Sequence, residues 1–129
     1  MEDSLFTKII KGEIPCHKVY EDDKVLAFLD IAPFTEGHTL VVPKQQIDYL
    51  WNTDEELYQY LMAVARKVAT RQREVLNPPR VGMLVDGFGV PHTHIHVFPM
   101  SGSIETTIHN KIQKPADDQL QFMATKLAF

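Results

Sequence analysis

The segment HTHIHVFPM, residues 92–100, alternates polar and apolar side chains and carries three of the chain's six histidines. Successive side chains of a β-strand point to opposite faces, so His92, His94 and His96 are predicted to share one face. The intervening side chains of Thr93, Ile95 and Val97 would then pack into the core. The segment therefore predicts a strand that presents a row of imidazoles.

The segments around this row predict an α+β fold. A helix is expected over residues 53–76, where Thr53 and Glu56 form a capping box and an apolar stripe repeats with helical spacing. Adjacent strands without intervening helices favour an antiparallel sheet rather than a doubly wound parallel one. A short helix capped by Ser4 is expected first, and the remaining strands are predicted at residues 17–21, 24–30, 38–42 and 80–86.

Length and composition indicate a single domain, residues 1–129, with a core at about 4–100 and a tail at 101–129 that carries a candidate helix. The net charge is −4 and no basic run is present, so long nucleic acid is not an expected partner. One cysteine, Cys16, cannot form an internal disulfide. The sequence has no signal-peptide pattern and no stretch of membrane-spanning length, so we expect a cytoplasmic protein without membrane contact.

Three chemical interpretations of the histidine row are open on these grounds. The rings could face solvent without a special role, as single histidines often do. They could bind a metal ion, although three same-face positions on one strand spread too far to reach one ion easily. A neutral imidazole could also attack phosphorus and form a covalent intermediate, provided that its other nitrogen is held by a hydrogen-bond acceptor.

The row HTHIHVF closely resembles the His-x-His-x-His signature of the histidine triad (HIT) superfamily. FTKIIKGEIP, YEDDKVLAFLDIAPFTEGHTLVVPK and the helix that follows them are similar to bacterial HIT proteins of the Hint type. The resemblance covers about residues 4–100. It implies an antiparallel sheet of about five strands with two main helices, and a homodimer in which the sheet is continuous.

The resemblance also implies hydrolysis of purine nucleotide conjugates of AMP or GMP at the α-phosphate, with nucleoside phosphoramidates as substrates in the Hint branch and dinucleoside polyphosphates in the Fhit-like branch. A third branch, which transfers nucleotidyl groups, has glutamine at the position of His96, so hydrolysis is favoured. His94 would be the nucleophile, His96 would contact the α-phosphate, and His92 and His38 would orient the nucleophile.

The same resemblance assigns a nucleotide pocket. Asp30 would accept the ribose hydroxyls, because a carboxylate suits a cis-diol, and apolar residues would wall the base pocket. The backbone amides of two glycines in VDGFGVPH could approach the phosphate. The nucleotide-binding residues expected besides Asp30 are Ile14, Phe28, Ile31, Leu40, Gly87, Gly89 and Val90.

The chain departs from the family at two places. Many bacterial relatives hold structural zinc through two cysteines, a histidine after Pro-Lys and a triad histidine. Here those first three positions are Ser4, Thr7 and Gln46, so we predict no structural metal and no cofactor. The loop before the triad is several residues shorter, and Phe88 and Gly89 replace a Gln-Ser/Thr pair whose hydroxyl would assist the leaving group. A nucleotide-binding module with little turnover is therefore the alternative function.

Overall fold

Five strands form one antiparallel sheet in the computed structural model, which describes residues 2–129. The spatial order is β1-β2-β3-β5-β4, with every neighbouring pair antiparallel. The α+β class and the five-stranded sheet predicted from the sequence are confirmed. The elements are α1 Leu5–Ile10, β1 Lys18–Glu21, β2 Val25–Leu29, β3 Thr39–Pro43, a 3-10 turn Leu50–Asn52, α2 Glu55–Leu76, β4 Arg80–Leu84, β5 Ile95–Met100, α3 Ile104–His109 and α4 Asp117–Leu127.

The two faces of the sheet are covered by different helices. The long helix α2 packs its apolar stripe, which includes Leu61, Val64 and Val68, on one face. The short helix α1 covers the other face with Phe6 and Ile9. Because both faces are covered, β2 and β3 are buried along their whole length, which accounts for their nearly continuous apolar sequences. Leu40 of β3, in the cluster under α1, pairs with His96 of β5.

Two sequence predictions of element boundaries are wrong. Asp54, not Thr53, caps α2, because the Asp54 carboxylate accepts the Leu57 N–H at 2.8 Å while the Thr53 hydroxyl donates to the Leu50 carbonyl. The last strand begins at Ile95, so His92 and His94 precede the sheet. The backbone of this segment is held instead by bonds outside the sheet ladder, which include Thr93 N–H to the Ile47 carbonyl at 2.7 Å.

The tail forms two helices. α4 buries Leu120, Ala124 and Leu127 against Val19 and Leu29 at the end of the sheet. Between α3 and α4, the Ile112 N–H donates to the Phe34 carbonyl at 3.1 Å. The tail is therefore packed on the loop that joins β2 to β3. No helix among residues 2–129 is long and apolar enough to cross a membrane.

Candidate active site

His94 is held with one ring nitrogen bonded and the other without a partner. Its Nδ1 lies 2.7 Å from the His92 carbonyl oxygen, which can only accept, so Nδ1 carries the proton. The lone pair of the neutral ring is then on Nε2, for which residues 2–129 offer no hydrogen-bond partner. His94 is 6% exposed, yet Nε2 is not among the fully enclosed polar atoms that lack a partner. This nitrogen is therefore not completely enclosed.

A chain of hydrogen bonds fixes the proton positions of His38 and His96. The Phe34 backbone N–H donates to His38 Nδ1 at 3.0 Å, so His38 must carry its proton on Nε2. His38 Nε2 lies 2.9 Å from His96 Nδ1, which therefore accepts. Neutral His96 then carries its own proton on Nε2. His96 is thus prepared to donate a hydrogen bond to an anionic oxygen near His94, whose ring centroid is 5.2 Å away.

Burial keeps these rings uncharged at neutral pH. It lowers the pKa of His38 from 6.5 to about 3, and the neighbouring His96 adds to the effect. Burial likewise lowers the pKa of His92 and of His96, with His94 adding to both decreases. The carboxylates of Asp30 and Asp86 act in the opposite direction on the pKa of His96. Neutral imidazoles at His38 and His96 are the form that the hydrogen-bond chain from Phe34 requires.

Asp30 lies at the end of β2, next to the histidine chain. One carboxylate oxygen accepts the Ala32 N–H at 2.9 Å, and the other lies 3.8 Å from His38 Nε2. Asp30 and His38 line one side of a cavity of about 740 Å³. The opposite walls come from residues 112–115 and from α4. A hydroxyl-bearing ligand near His96 would therefore meet a carboxylate with free acceptor capacity beside open space.

Most of the expected base-pocket residues lie together. Phe28 and Leu40 are buried in the cluster under α1, and Ile14 and Val90 pack on its margin. Ile31 does not join them, because it is 53% exposed in the turn after β2. The structure thus brings together Ile14, Phe28, Leu40 and Val90 and leaves Ile31 outside.

Residues 86–90, which we call the glycine loop, carry the other predicted phosphate contacts. Gly87 and Gly89 have φ values of 78° and 89°, a backbone region that favours glycine. The Phe88 side chain is 84% exposed, and its N–H donates to an Asp86 carboxylate oxygen at 3.1 Å. An Asp86 oxygen also lies within 4.8 Å of ring nitrogens of His94 and His96. The glycine loop therefore places a carboxylate beside the histidines, whereas the Phe88 ring is exposed to solvent.

The positions that hold zinc in relatives form a closed hydrogen-bond cluster around His92, which we call the His92 cluster: Ser4, Thr7, Gln46 and His92. The His92 Nε2–H donates to the Pro43 carbonyl at 2.8 Å, so Nδ1 accepts from the Ser4 hydroxyl at 2.7 Å. Neutral hydroxyl and amide oxygens are poor zinc ligands, and here they are already engaged with one another. These donors do not fit a zinc ion.

Two other groups bring metal-binding residue types together: Asp30, His38 and His96, and Asp86, His94 and His96. In the first group the facing nitrogens of His38 and His96 are already bonded to each other. In the second group, His96 Nε2 carries a proton, because His96 Nδ1 accepts the hydrogen bond from His38. A metal ion would have to displace that proton, so the hydrogen bonding favours phosphate contact over metal binding at this position.

The sequence model of the HIT domain matches residues 11–102. The chain belongs to the HIT family. It is 45% identical over 107 residues to the "Protein hit" of Bacillus subtilis, covering 78% of this chain and 73% of the relative. A HIT-like protein from Bartonella henselae, solved with an unknown ligand, has a TM-score of 0.84 at 29% identity and covers 98% of this chain and 97% of its own. A HIT family hydrolase from Legionella pneumophila has a TM-score of 0.65 at 34% identity, covering 74% of this chain and 91% of its own.

Two site residues went unnoticed in the sequence. Phe34 donates to His38 through its backbone, and its ring lies 4.5 Å from the His38 ring centroid. Phe6 meets the His94 ring edge-on at 5.0 Å and the His92 ring at 5.8 Å. Both look like ordinary apolar residues in the sequence, since an aromatic beside an imidazole leaves no pattern there. Only the position of Phe6 on the inner face of α1 could have indicated its contact.

Proposed function

We propose that this HIT protein is a nucleotide hydrolase that cleaves purine nucleoside phosphoramidates, or related AMP and GMP conjugates, at the α-phosphate. The observation that carries the proposal is the proton arrangement of two neighbouring rings. His94 offers an unbonded Nε2 lone pair because Nδ1–H is bonded to the His92 carbonyl. His96 offers an Nε2–H because its Nδ1 accepts from His38. A nucleophile thus lies beside a donor for the phosphoryl oxygens.

The reaction has two displacements. His94 Nε2 attacks phosphorus, the P–N bond breaks, and its electron pair stays on the leaving amine, which takes a proton from solvent. Water then attacks the nucleotidyl-His94, its oxygen joins phosphorus, its proton passes to solvent, and the P–N bond to His94 breaks. His96 stabilises charge on the phosphoryl oxygens in both steps. Asp30 would accept the ribose hydroxyls, and the cluster of Ile14, Phe28, Leu40 and Val90 would face the base.

The glycine loop supports an amine as the leaving group. Phe88 and Gly89 carry no hydroxyl that could donate a proton, so a leaving group basic enough to take one from water is favoured over an alcohol. The Asp86 carboxylate, within 4.8 Å of the histidine nitrogens, would repel a polyphosphate leaving group. Both features favour phosphoramidates over dinucleoside polyphosphates.

The test compares the wild-type protein with His94→Ala on adenosine 5′-phosphoramidate, followed by chromatography of released AMP, with and without EDTA. We expect turnover that persists in EDTA and disappears in the variant. Loss of wild-type activity on chelation, with recovery on adding zinc, would contradict the proposal. Calorimetry of AMP binding to His94→Ala serves as the control that the pocket is intact.

A nucleotide-binding module with little turnover is the second candidate, and the glycine loop is the observation that favours it. Its residues offer no hydroxyl near the leaving group, and Phe88 points into solvent. Tight AMP binding by the wild-type protein, with no AMP released from any phosphoramidate tested, would select this alternative.

A cytoplasmic homodimer joined through β4 completes the proposal. β4 is an edge strand, and its Met83 side chain is 49% exposed while Val81 is half-buried. An unpaired edge beside exposed apolar side chains favours pairing with a second copy. Sedimentation equilibrium should give twice the chain mass for the wild-type protein and a monomer for Met83→Arg. A wild-type monomer at micromolar concentration would contradict the dimer.

A further inference from the structure

We infer that Ser4 is a positioning residue for the nucleophile, acting through the side chain and then the carbonyl of His92. This inference rests on the proposed function only for its kinetic consequence. Its structural basis is the His92 cluster, in which Ser4 at the start of α1 contacts His92 across 88 positions of the chain.

Each polar group of the cluster has a defined role. The Ser4 hydroxyl donates to His92 Nδ1 at 2.7 Å and accepts the Thr7 N–H at 3.0 Å. The Thr7 hydroxyl donates to the Gln46 amide oxygen at 2.6 Å, which also accepts the Ser4 N–H at 2.9 Å. The Gln46 amide nitrogen donates to the Glu2 carbonyl at 2.8 Å. The Pro43 carbonyl can only accept, so neutral His92 carries its proton on Nε2 and its Nδ1 accepts from the Ser4 hydroxyl.

The proton on His92 Nε2 anchors a segment that the sheet does not hold. His92 and His94 precede β5, so their backbone lacks ladder bonds. The bond from His92 Nε2–H to the Pro43 carbonyl ties this segment to the end of β3. The next link is the His92 carbonyl, which accepts from His94 Nδ1 and so sets both the tautomer and the direction of the nucleophile.

Burial makes the hydrogen bonds of the His92 cluster difficult for water to replace. His92 is 0% exposed and Ser4 is 5% exposed, so water cannot replace a lost hydroxyl without a rearrangement. Phe6, two residues after Ser4, packs edge-on against both the His92 and His94 rings. Helix α1 therefore contacts the nucleophile through an aromatic ring and orients it through the His92 cluster.

The first experiment removes the hydroxyl and restores it. Ser4→Ala should lower kcat on adenosine phosphoramidate about 10-fold with KM little changed, because the nucleophile is misdirected while the nucleotide pocket is intact. Ser4→Thr should restore most of the rate. The matched control is Ser103→Ala, which removes a serine cap of the same kind from α3, a helix of equal length. Equal rates in Ser4→Ala and the wild-type protein would overturn the inference.

The second experiment separates capping from positioning and needs no turnover. Ser4→Asp can still accept the Thr7 N–H but cannot donate to His92 Nδ1 when ionised. In ¹⁵N spectra of the histidine rings, the wild-type protein should show His92 protonated on Nε2 and His94 protonated on Nδ1. Both Ser4→Ala and Ser4→Asp should show a second His94 tautomer. An unchanged, single His94 tautomer in both variants would contradict the inference, whereas absence of wild-type turnover would contradict only the proposed function.

Discussion

Two regions of the site differ in how far the fold constrains them. One is the histidine network, which consists of His38, His92, His94 and His96, and the other is the glycine loop. His38 and His92 are 1% and 0% exposed and have partners on both ring nitrogens, whereas Phe88 is 84% exposed. A Cβ added to Gly87 or Gly89 would meet nothing within 4 Å. The proposed attack on phosphorus would therefore use a fixed region, and the proposed contact with the leaving group would use an open one. Under the proposed function, the nucleophile lies in the constrained region and the leaving-group contacts lie in the open one.

Breaking the hydrogen bond between His38 and His96 should have the largest effect, a decrease in kcat. His38→Ala removes the donor to His96 Nδ1, so the His96 proton is no longer fixed on Nε2 toward the phosphate. We expect kcat on adenosine phosphoramidate to fall about 100-fold. The control His109→Ala removes an exposed histidine on α3 and should leave kcat unchanged. A fall of less than threefold in His38→Ala would show that the hydrogen-bond chain is not needed for catalysis.

Altering the charge of the glycine loop should change selectivity. Asp86→Asn removes the carboxylate near His94 and His96, so the ratio of diadenosine tetraphosphate to phosphoramidate hydrolysis should rise about 10-fold, equivalent to about 1.4 kcal/mol. Asp48→Asn, at an exposed position elsewhere, serves as the control. An unchanged ratio of kcat/KM values would mean that Asp86 does not face the leaving group.

Acid should weaken the network before it affects carboxylates such as Asp22, whose pKa is lowered to about 2. The pKa of His38 is lowered from 6.5 to about 3, so between these values the unfolded chain binds a proton that the folded protein does not. Stability is therefore full above pH 6.5 and decreases as the pH falls toward 3. For His38 alone the free energy of unfolding should be about 2 kcal/mol lower at pH 5 than at pH 7.

Urea denaturation at pH 7, 6 and 5 measures this decrease. His38→Gln should reduce the difference between pH 7 and pH 5, while His109→Gln should retain it. His92 and His96 act in the same direction, because burial lowers the pKa of each. A wild-type free energy of unfolding that is the same at pH 5 and pH 7 would contradict the assignment of buried, neutral rings.

Replacing a glycine of the glycine loop should have the smallest effect, a decrease in the free energy of unfolding. Gly89→Ala places a side chain at a φ of 89°, where the strain should lower the free energy of unfolding by about 1 kcal/mol. The control is Gly102→Ala, because an added Cβ there meets only ordinary contacts at 3.8 and 3.9 Å. Thermal unfolding of both variants compares the two positions, and equal melting temperatures would show that the loop does not require glycine at residue 89.

The sequence predicted the sheet well because alternation and breaker residues act locally. β2 and β3 follow their apolar runs closely, and Ser4 caps α1 as expected. The start of β5 was predicted incorrectly, because alternation at residues 92–94 reflects the placement of His92 and His94 in a bent segment outside the sheet. Side-chain bonds to Pro43 and Ile47 hold this segment, and such long-range partners leave no periodic pattern.

The sequence indicated the site residues that have distinctive side chains, but not those that act through the backbone or through long-range packing. The histidines and Asp30 carry distinctive side chains, and the structure places them together. Phe34 acts through a backbone N–H, which every residue except proline has, so its identity carries no signal. Ile31 was expected in the base pocket but is exposed, since its place beside Asp30 in the sequence does not fix its direction after β2 ends.

The stereochemical course at phosphorus tests the central claim most directly. A nucleoside phosphoramidate made chiral at phosphorus with sulfur is hydrolysed in ¹⁸O-water, and the configuration of the product is determined by ³¹P NMR. Two successive displacements, the first by His94 Nε2 and the second by water, predict net retention of configuration. Net inversion would mean that water attacks phosphorus directly and would contradict a nucleotidyl-His94 intermediate.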